Sequence, residues 1–201
     1  MADMIWGGIF SKNPSKKLNE FMSAENIEVD KKLVPYEIKA SKAHVKMLVS
    51  QGILKKNEGN EILKAIGKIE KDGLDLKIEH EDVHMNLEKA VTAITPFGKK
   101  MHTARSRNDQ VNTVMRLYMK DRIKEIKKYL KKLQGAYKFH NKGVIPGYTH
   151  TRVAQPLELK MWSEGYIQML EGDLEKLGQL YKRINKNPLG ACALTGTSLE
   201  Y

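Results

Sequence analysis

The chain has only one cysteine, Cys192, among its 201 residues. An internal disulfide framework is therefore excluded, and a single thiol is typical of proteins from reducing compartments. The sequence also lacks an apolar run long enough to span a membrane, and its first residues do not have the pattern of a signal peptide. We therefore expect a cytoplasmic protein that has no membrane partner.

Acidic residues are fewer than basic ones, with 24 Asp and Glu against 35 Lys and Arg and a net charge of +11. Such an excess fits either a nucleic-acid face or the attraction of anionic substrates. The densest basic stretch, residues 120–132, also contains Asp121, Glu125 and regularly spaced apolar residues. This mixture is typical of the solvated side of a packed helix. Because no nucleic-acid-binding motif accompanies it, we expect no nucleic-acid partner.

Alternation of apolar and polar residues, which marks half-buried strands, is scarce, so the sequence predicts an all-α chain. Apolar residues at helical spacing predict three helices in the first 95 residues, at about 30–50, 57–71 and 82–94. Gly52 is placed to end the first of them in the left-handed conformation.

A longer helical pattern begins after residue 108. Apolar residues from Met119 to His140 recur with a period of about 3.5, which predicts a helix over 109–141 packed lengthwise against others. After a loop, Pro156 suits the first turn of another helix, which reaches about Ile184. Because two such helices cannot cover each other's apolar stripes, we predict an incomplete long-helix bundle over residues 109–201. An N-terminal helical domain over residues 1–108 precedes it.

The polar run at residues 102–110, His-Thr-Ala-Arg-Ser-Arg-Asn-Asp-Gln, directly precedes the long helix and is called the signature segment below. Three of its residues are good N-caps: Ser106, Asn108 and Asp109. The helix should therefore start within this run, and a helix start attracts anions. Arg105 and Arg107 add planar donor forks that match a carboxylate. The residues fit an anion site and a well-capped helix with two surface arginines equally well.

Two histidine patterns are less specific. His80 and His84 lie four residues apart, a spacing that can chelate zinc, but the order His-Glu-Asp-Val-His is not that of known zinc motifs. We therefore expect no metal. The predicted loop Tyr-Thr-His-Thr at residues 148–151 contains His150, a group that titrates near neutrality. This histidine fits a structural or exposed role as well as a chemical one.

Several segments follow one another at natural spacing. They are Trp6-Gly7-Gly8 with Phe10, residues 30–44, Glu81-Asp-Val-His-Met-Asn-Leu-Glu88, the signature segment, Pro146-Gly-Tyr-Thr-His150 with Ala154-Gln-Pro156, and Pro188-Leu-Gly190 with Gly196-Thr-Ser198. Together they resemble the argininosuccinate lyase family of the fumarase/aspartase superfamily along nearly the whole chain. The resemblance implies the long-helix bundle of that superfamily.

The resemblance also implies a chemistry, in which argininosuccinate is split reversibly into arginine and fumarate by β-elimination without metal or cofactor. It assigns His150 as the acid–base residue. The substrate-binding residues that it implies are Ser106, Arg107, Asn108, Thr149 and His84. It further implies a homotetramer whose sites are shared between subunits.

The sequence departs from the family pattern at several places, where Ile9, Asn26, Glu37, Ala40, Ala104 and Arg152 replace the usual residues. Asn26 matters most among them, because the family has a substrate-binding serine there. Family members are also more than twice as long, and their mobile serine loop and histidine-paired glutamate have no counterpart here. The resemblance thus implies a fragment or split subunit that is inactive by itself. Another superfamily lyase, such as adenylosuccinate lyase, and a non-catalytic helical assembly protein are the alternatives.

Overall fold

The computed structural model describes residues 15–194 and 196–199. The Trp-Gly-Gly segment near the start lies outside these residues. Along the described chain the elements are α1 Lys16–Asp30, α2 Val34–Ser50, α3 Lys56–Asp72, α4 Val83–Ile94, α5 Arg107–Phe139, β1 Val144–Thr149, β2 Arg152–Glu158 and α6 Leu159–Ile184. The prediction of a mostly helical chain is confirmed, and α1 is a helix that the sequence patterns did not reveal.

The described residues form two compact units. The first runs up to Leu117 and includes the segment that begins at Asn187, and the second is Tyr118–Lys186. The first turns of α5 therefore belong to the first unit. The division into residues 1–108 and 109–201 stays a prediction.

The apolar core of the first unit lies between α2, α3 and α4. Its buried members include Ile38, Val45, Leu48, Ile62, Ala65, Ile66, Ile69, Leu87 and Val91. These residues occupy one face of each helix because they recur every three or four positions. Each large aliphatic side chain buried there contributes about 1.5–3 kcal/mol. Ile94, which we expected to face inward, is exposed at the last residue of α4.

Two glycines set the ends of these helices. Gly52 follows α2 with a φ of 70°, the left-handed conformation that the sequence predicted. Gly98 lies in the turn after α4, where an added Cβ would come within 2.7 Å of the Thr92 backbone. The close approach of these two segments therefore requires glycine at position 98.

In the second unit, α6 runs antiparallel to the part of α5 that follows Leu117. Near one end of the pair the ring of Tyr137 stacks on Tyr166 at 5.4 Å and meets Trp162 edge-on at 5.7 Å. Near the other end, Lys120 Nζ donates a hydrogen bond of 2.6 Å to Asn185 Oδ1. The period of 3.5 in the sequence thus corresponds to lengthwise packing of two helices.

These two helices leave much of their apolar surface in solvent. Large hydrophobic side chains exposed within the second unit include Ile126, Tyr129, Leu133, Phe139, Met161, Trp162, Tyr166, Met169 and Leu180. This exposure agrees with the expectation that neither helix can cover the apolar stripe of the other. Among the described residues, no helix has the length and apolar character that crossing a membrane requires.

The segment between α5 and α6 is a β-hairpin, and our expectation of a loop there was wrong. β1 pairs antiparallel with β2 from Val144 opposite Glu158 to Thr149 opposite Arg152. Pro156 lies in β2 opposite Pro146, so it does not open α6. Most side chains of both strands are exposed. Because no face is buried, the hairpin shows no apolar alternation by which its sequence could be recognised.

We expect the 201-residue chain to associate without fixed stoichiometry, because each apolar side chain left in water forfeits about 1.5–3 kcal/mol. Tyr129→Glu combined with Met169→Glu should weaken this association, since these side chains are 61% and 67% exposed. Sedimentation velocity over a concentration series measures the effect. Gln168→Glu, which adds a charge beside Met169, is the matched control and should change little. A monodisperse monomer of the unmodified chain would contradict the expectation.

Candidate active site

The signature segment opens α5 with a reciprocal cap. Asn108 N donates to Ser106 Oγ at 3.3 Å, and Ser106 N donates to Asp109 Oδ2 at 3.3 Å. Each side chain thus satisfies a backbone N–H at the helix start, in the manner of a capping box. The predicted start of the long helix is confirmed, with Ser106 as its N-cap and Arg107 as its first residue.

Asp109 also ties the segment after α6 to the signature segment. Its Oδ2 accepts a hydrogen bond of 2.6 Å from Cys192 N. The thiol of Cys192 donates to the Ala104 carbonyl oxygen at 3.0 Å. Cys192 is therefore bonded to the signature segment at two points, through its backbone N–H and through its thiol.

Ala104 shows why its position favours glycine. It has a φ of 57°, a left-handed conformation that costs an L-residue roughly 1–2 kcal/mol. The glycine that the resemblance implies at this position would adopt the conformation without that strain. Hydrogen bonds hold the turn at two successive residues, because the Thr103 carbonyl accepts from His44 Nε2 at 2.9 Å and the Ala104 carbonyl accepts from Cys192 Sγ at 3.0 Å.

A fully buried carboxylate, Glu37 on α2, lies directly behind the signature segment. Its Oε2 pairs with His84 Nδ1 at 2.6 Å. Its Oε1 accepts from Ser41 Oγ at 2.6 Å and from Gln110 Nε2 at 2.6 Å. One carboxylate thus links α2, α4 and α5, and both of its oxygens have partners.

The surroundings of Glu37 favour its ionised form. Burial by itself raises the pKa of this carboxyl, but the hydrogen bond and charge of His84, the charge of Arg105 and the hydrogen bond from Ser41 outweigh it. The net effect lowers the pKa. Because an ionised carboxylate only accepts hydrogen bonds, His84 donates from Nδ1. His84 is therefore engaged with a carboxylate at one ring nitrogen.

The two arginines of the signature segment have different surroundings. Arg105 is only 7% exposed, and its Nη1 donates to Ser41 Oγ at 3.4 Å. Burial lowers the pKa of Arg105. Arg105 therefore lies inside the first unit, and the interpretation of both arginines as surface residues is wrong for this one.

Arg107 is partly accessible, with 24% of its side chain exposed. Its Nη1 donates to Gln110 Oε1 at 2.7 Å, and its Nε lies 3.4 Å from Asp82 Oδ2. Its Nη2 is buried and has no hydrogen-bond partner among the described residues. The guanidinium is therefore held at two nitrogens while donor capacity remains for an anion.

A cleft of about 290 Å³ in the first unit contains another predicted site residue. It is lined by Asn26, Val29, Asp30, Leu33, Asp82, His84, Val111 and Met115. His84 thus shares one cleft with Asn26, the position at which the resemblance implies a serine. The Asn26 side chain donates to the Met22 carbonyl of its own helix at 3.2 Å. Burial raises the pKa of Asp30, whose Oδ2 accepts from Val83 N at the start of α4.

Thr149 and His150 lie in the second unit, at the turn of the hairpin. His150 and Thr151 have φ values of 50° and 64°, which make the tight turn between β1 and β2. Both Thr149 and His150 are exposed. The structure thus brings His84 and the signature residues together in one unit and places the Thr-His pair in the other.

The two histidines with metal-ligand spacing have separate partners. The Nδ1 atom of His80 lies 3.2 Å from Asn86 Oδ1, whereas His84 bonds to Glu37. Within residues 15–194 and 196–199, no three His, Cys, Asp or Glu side chains are grouped as metal ligands.

Sequence reasoning missed Glu37 and Gln110 as parts of the site. A signal existed in α2, where Glu37, Ser41 and His44 follow one another at steps of four and three beside the apolar stripe. Polar residues at that spacing share the buried face of the helix, and buried polar groups need partners. His102 and Gln110 at the ends of the signature segment could have supplied them.

Known proteins resemble the chain in sequence and in fold. The model of a family described as lyase matches residues 11–201. An argininosuccinate lyase of Exiguobacterium sp. is 43% identical over 203 residues, which cover 96% of this chain and 44% of the relative. The chain therefore spans less than half the length of the curated relative that it matches.

Two solved structures of EDDS lyase share the fold. One, in complex with formate, has 29% identity and a TM-score of 0.71 and covers 89% of this chain and 38% of its own. The other, a variant with bound fumarate, has 27% identity and a TM-score of 0.70 and covers 94% of this chain and 39% of its own. The fold is that of the fumarase/aspartase superfamily.

Two histidines, His44 behind the signature segment and half-buried His102 within it, predict a loss of stability in mild acid. Burial, assisted by the charge of Arg105, lowers the pKa of His44 from 6.5 to about 4, and the same causes together with Arg107 lower that of His102 to about 4. The unfolded chain therefore takes up protons first as the pH falls from 6.5 towards 4. The free energy of unfolding should decrease by about 2 kcal/mol between pH 7 and pH 5 through His44 alone.

Urea unfolding followed by circular dichroism at these two pH values measures the decrease. His44→Gln keeps a donor for the Thr103 carbonyl, which accepts from His44 Nε2 at 2.9 Å, and should remove that share of the decrease. His140→Gln, at an exposed position, is the control and should leave the decrease unchanged. Equal stability at both pH values would show that the buried histidines are not held neutral.

Proposed function

The chain belongs to the lyase family, and we propose that it forms part of an argininosuccinate lyase that acts in arginine biosynthesis in the cytoplasm. The observation that carries the proposal is the Arg107 guanidinium, held at the start of α5 by Gln110 and Asp82 with Nη2 unpartnered. A partial positive charge at a helix start and a bidentate donor fork together suit a carboxylate. The argininosuccinate lyase of Exiguobacterium sp. supports the choice of substrate.

The reaction is a β-elimination that yields arginine and fumarate. A base removes the proton from the carbon beside a carboxylate, and the electron pair first spreads into that carboxylate. The pair then forms the double bond of fumarate as the carbon–nitrogen bond breaks. The departing guanidinium nitrogen takes a proton from an acid. Negative charge grows on the carboxylate before the bond breaks, so fixed donors around that carboxylate accelerate the reaction.

Residues of the first unit supply the binding of this growing charge. Arg107 binds the carboxylate, and Ser106 and Asn108 complete a polar surface at the helix start. His84, whose Nδ1 is engaged with Glu37, contributes its other ring nitrogen as a polar group in the cleft. The bound fumarate of the EDDS lyase variant is consistent with a dicarboxylate product in this fold.

The hairpin of the second unit supplies the remaining residues of this chain. Thr149 binds a second carboxylate through its hydroxyl, and His150 transfers a proton. Both are exposed in the second unit. A site shared between subunits of a homotetramer would bring hairpin and signature segment together, with the exposed apolar surface of α5 and α6 as the contact. A net charge of +11 favours a substrate with three carboxylates.

The proposal is tested in a hybrid enzyme in which this chain replaces the matching 203 residues of the Exiguobacterium argininosuccinate lyase. The hybrid should release fumarate from argininosuccinate, whereas the 201-residue chain alone should not. Arg107→Lys should lower kcat/KM by roughly 10²–10³, because lysine keeps the charge and loses the fork. His150→Asn should remove one limb of the pH–rate profile.

Matched controls are available on the same elements. Arg122→Lys changes an exposed arginine of α5 that pairs with Glu125, and His140→Asn changes an exposed histidine that follows α5. Both should leave turnover close to that of the unmodified hybrid. An active hybrid in which Arg107→Lys is silent would refute the carboxylate site, and an unchanged pH profile would refute the role of His150. Activity on adenylosuccinate in place of argininosuccinate would refute the choice of substrate.

A further inference from the structure

We infer that Glu37 is a positioning residue, which acts through Gln110 to hold the Arg107 guanidinium in one orientation for a substrate carboxylate. The function of this orientation rests on the proposed lyase site. The contact chain itself rests on two hydrogen bonds, of 2.6 Å from Gln110 to Glu37 and of 2.7 Å from Arg107 to Gln110.

The Gln110 amide has only one orientation that satisfies both neighbours. Gln110 is almost fully buried, so water does not offer it other partners. Its NH₂ group faces Glu37 Oε1, and its carbonyl oxygen faces Arg107 Nη1. A flipped amide would set an oxygen against the ionised carboxylate and an NH₂ group against the guanidinium, so both bonds would be lost. The carboxylate of Glu37, which only accepts, and the guanidinium of Arg107, which only donates, therefore select the same amide orientation, and Gln110 links the two groups.

Glu37 can act in this way because it is itself immobile. Ser41, from the same helix, and His84, from α4, each hold one of its oxygens at 2.6 Å. These bonds fix the rotation of the carboxylate, and the packing of a fully buried side chain leaves no alternative rotamer. The orientation of the donor fork is thereby linked to two helices of the core.

Arg107 needs such support because its side chain is long and partly exposed. Bidentate binding of a carboxylate requires the guanidinium plane in a set orientation. Asp82 holds Nε at 3.4 Å, a loose contact that by itself allows the plane to tilt. Gln110 accepts a hydrogen bond of 2.7 Å from Nη1 and so fixes a second nitrogen of the guanidinium. Without Glu37, Gln110 no longer holds Nη1 in place, and the Arg107 side chain regains rotamer freedom.

The inference is tested by ¹⁵N NMR of the Arg107 side chain in the 201-residue chain that carries Tyr129→Glu and Met169→Glu, the substitutions that should weaken its association. The Arg107 signals are identified by their loss in Arg107→Lys. Slow rotation about the Nε–Cζ bond gives separate Nη1 and Nη2 signals. Glu37→Gln should accelerate this rotation by about tenfold or more, as expected when the hydrogen bond to a charged group is disrupted. Gln110→Met should have the same effect while the Glu37–His84 pair stays intact.

Controls separate positioning from general loosening. Thr113→Val removes a different buried hydrogen bond in the same stretch of α5, from Thr113 Oγ1 to the Asp109 carbonyl oxygen at 2.7 Å, and this bond is not part of the path from Glu37 to Arg107. Glu58→Gln removes a carboxylate charge that pairs with Lys100 in the same unit. Neither should change Arg107 rotation by more than about twofold. In the double variant of Glu37→Gln and Gln110→Met, the Arg107 guanidinium should rotate no faster than in either single variant. Both substitutions interrupt the same series of hydrogen bonds from Glu37 to Arg107.

Unchanged Arg107 rotation in Gln110→Met would overturn the inference, and so would equal acceleration by Thr113→Val. If Glu37→Gln fails to fold, Gln110→Met and its control decide the question. Fumarate titration of the hybrid enzyme tests the proposed function separately. Suppose that Glu37→Gln and Gln110→Met accelerate Arg107 rotation, but Arg107→Lys leaves the fumarate affinity of the hybrid unchanged. That result would refute the lyase site and leave the positioning by Glu37 in place.

Discussion

The ionised carboxylate of Glu37, enclosed by donors from three helices, is the interaction on which the site depends. An isolated charge in the interior would be costly, and only a complete set of partners makes its burial tolerable. His84, Ser41 and Gln110 provide that set at 2.6 Å each. Any rearrangement of α2, α4 or α5 would leave a buried charge or donor unpaired. The network therefore fixes how these helices meet.

The same constraint explains why the signature segment is polar at every position except Ala104. Ser106 and Asp109 satisfy the start of α5, Gln110 and Arg105 reach the buried network, and Arg107 extends to the surface. The polar residues of the signature segment thus divide into a structural group and a group proposed to bind substrate. The anion site is small and depends on a larger set of bonds beneath it.

Periodicity was enough to predict the helices of the first unit and the long helix, because burying an apolar face requires that spacing. It could not reveal α1, which buries only Ser23 and Ile27, or the hairpin, whose strands are largely exposed. The start of α5 was predictable because capping is local. The role of Glu37 was not, because its partner Gln110 lies 73 residues away and only the fold brings them together.

The central claim is that Glu37 is ionised in the folded chain and organises the site as a charge. The most direct measurement is a ¹³C NMR titration of its side-chain carboxyl, identified by the signal that disappears in Glu37→Gln. We predict that the carboxyl stays ionised as the pH falls to its ordinary pKa of 4.5, since its hydrogen bonds lower that pKa. A carboxyl that is protonated well above pH 4.5 would contradict the account, because Gln110 would then bond to a neutral group and the site would lack the buried charge that organises it.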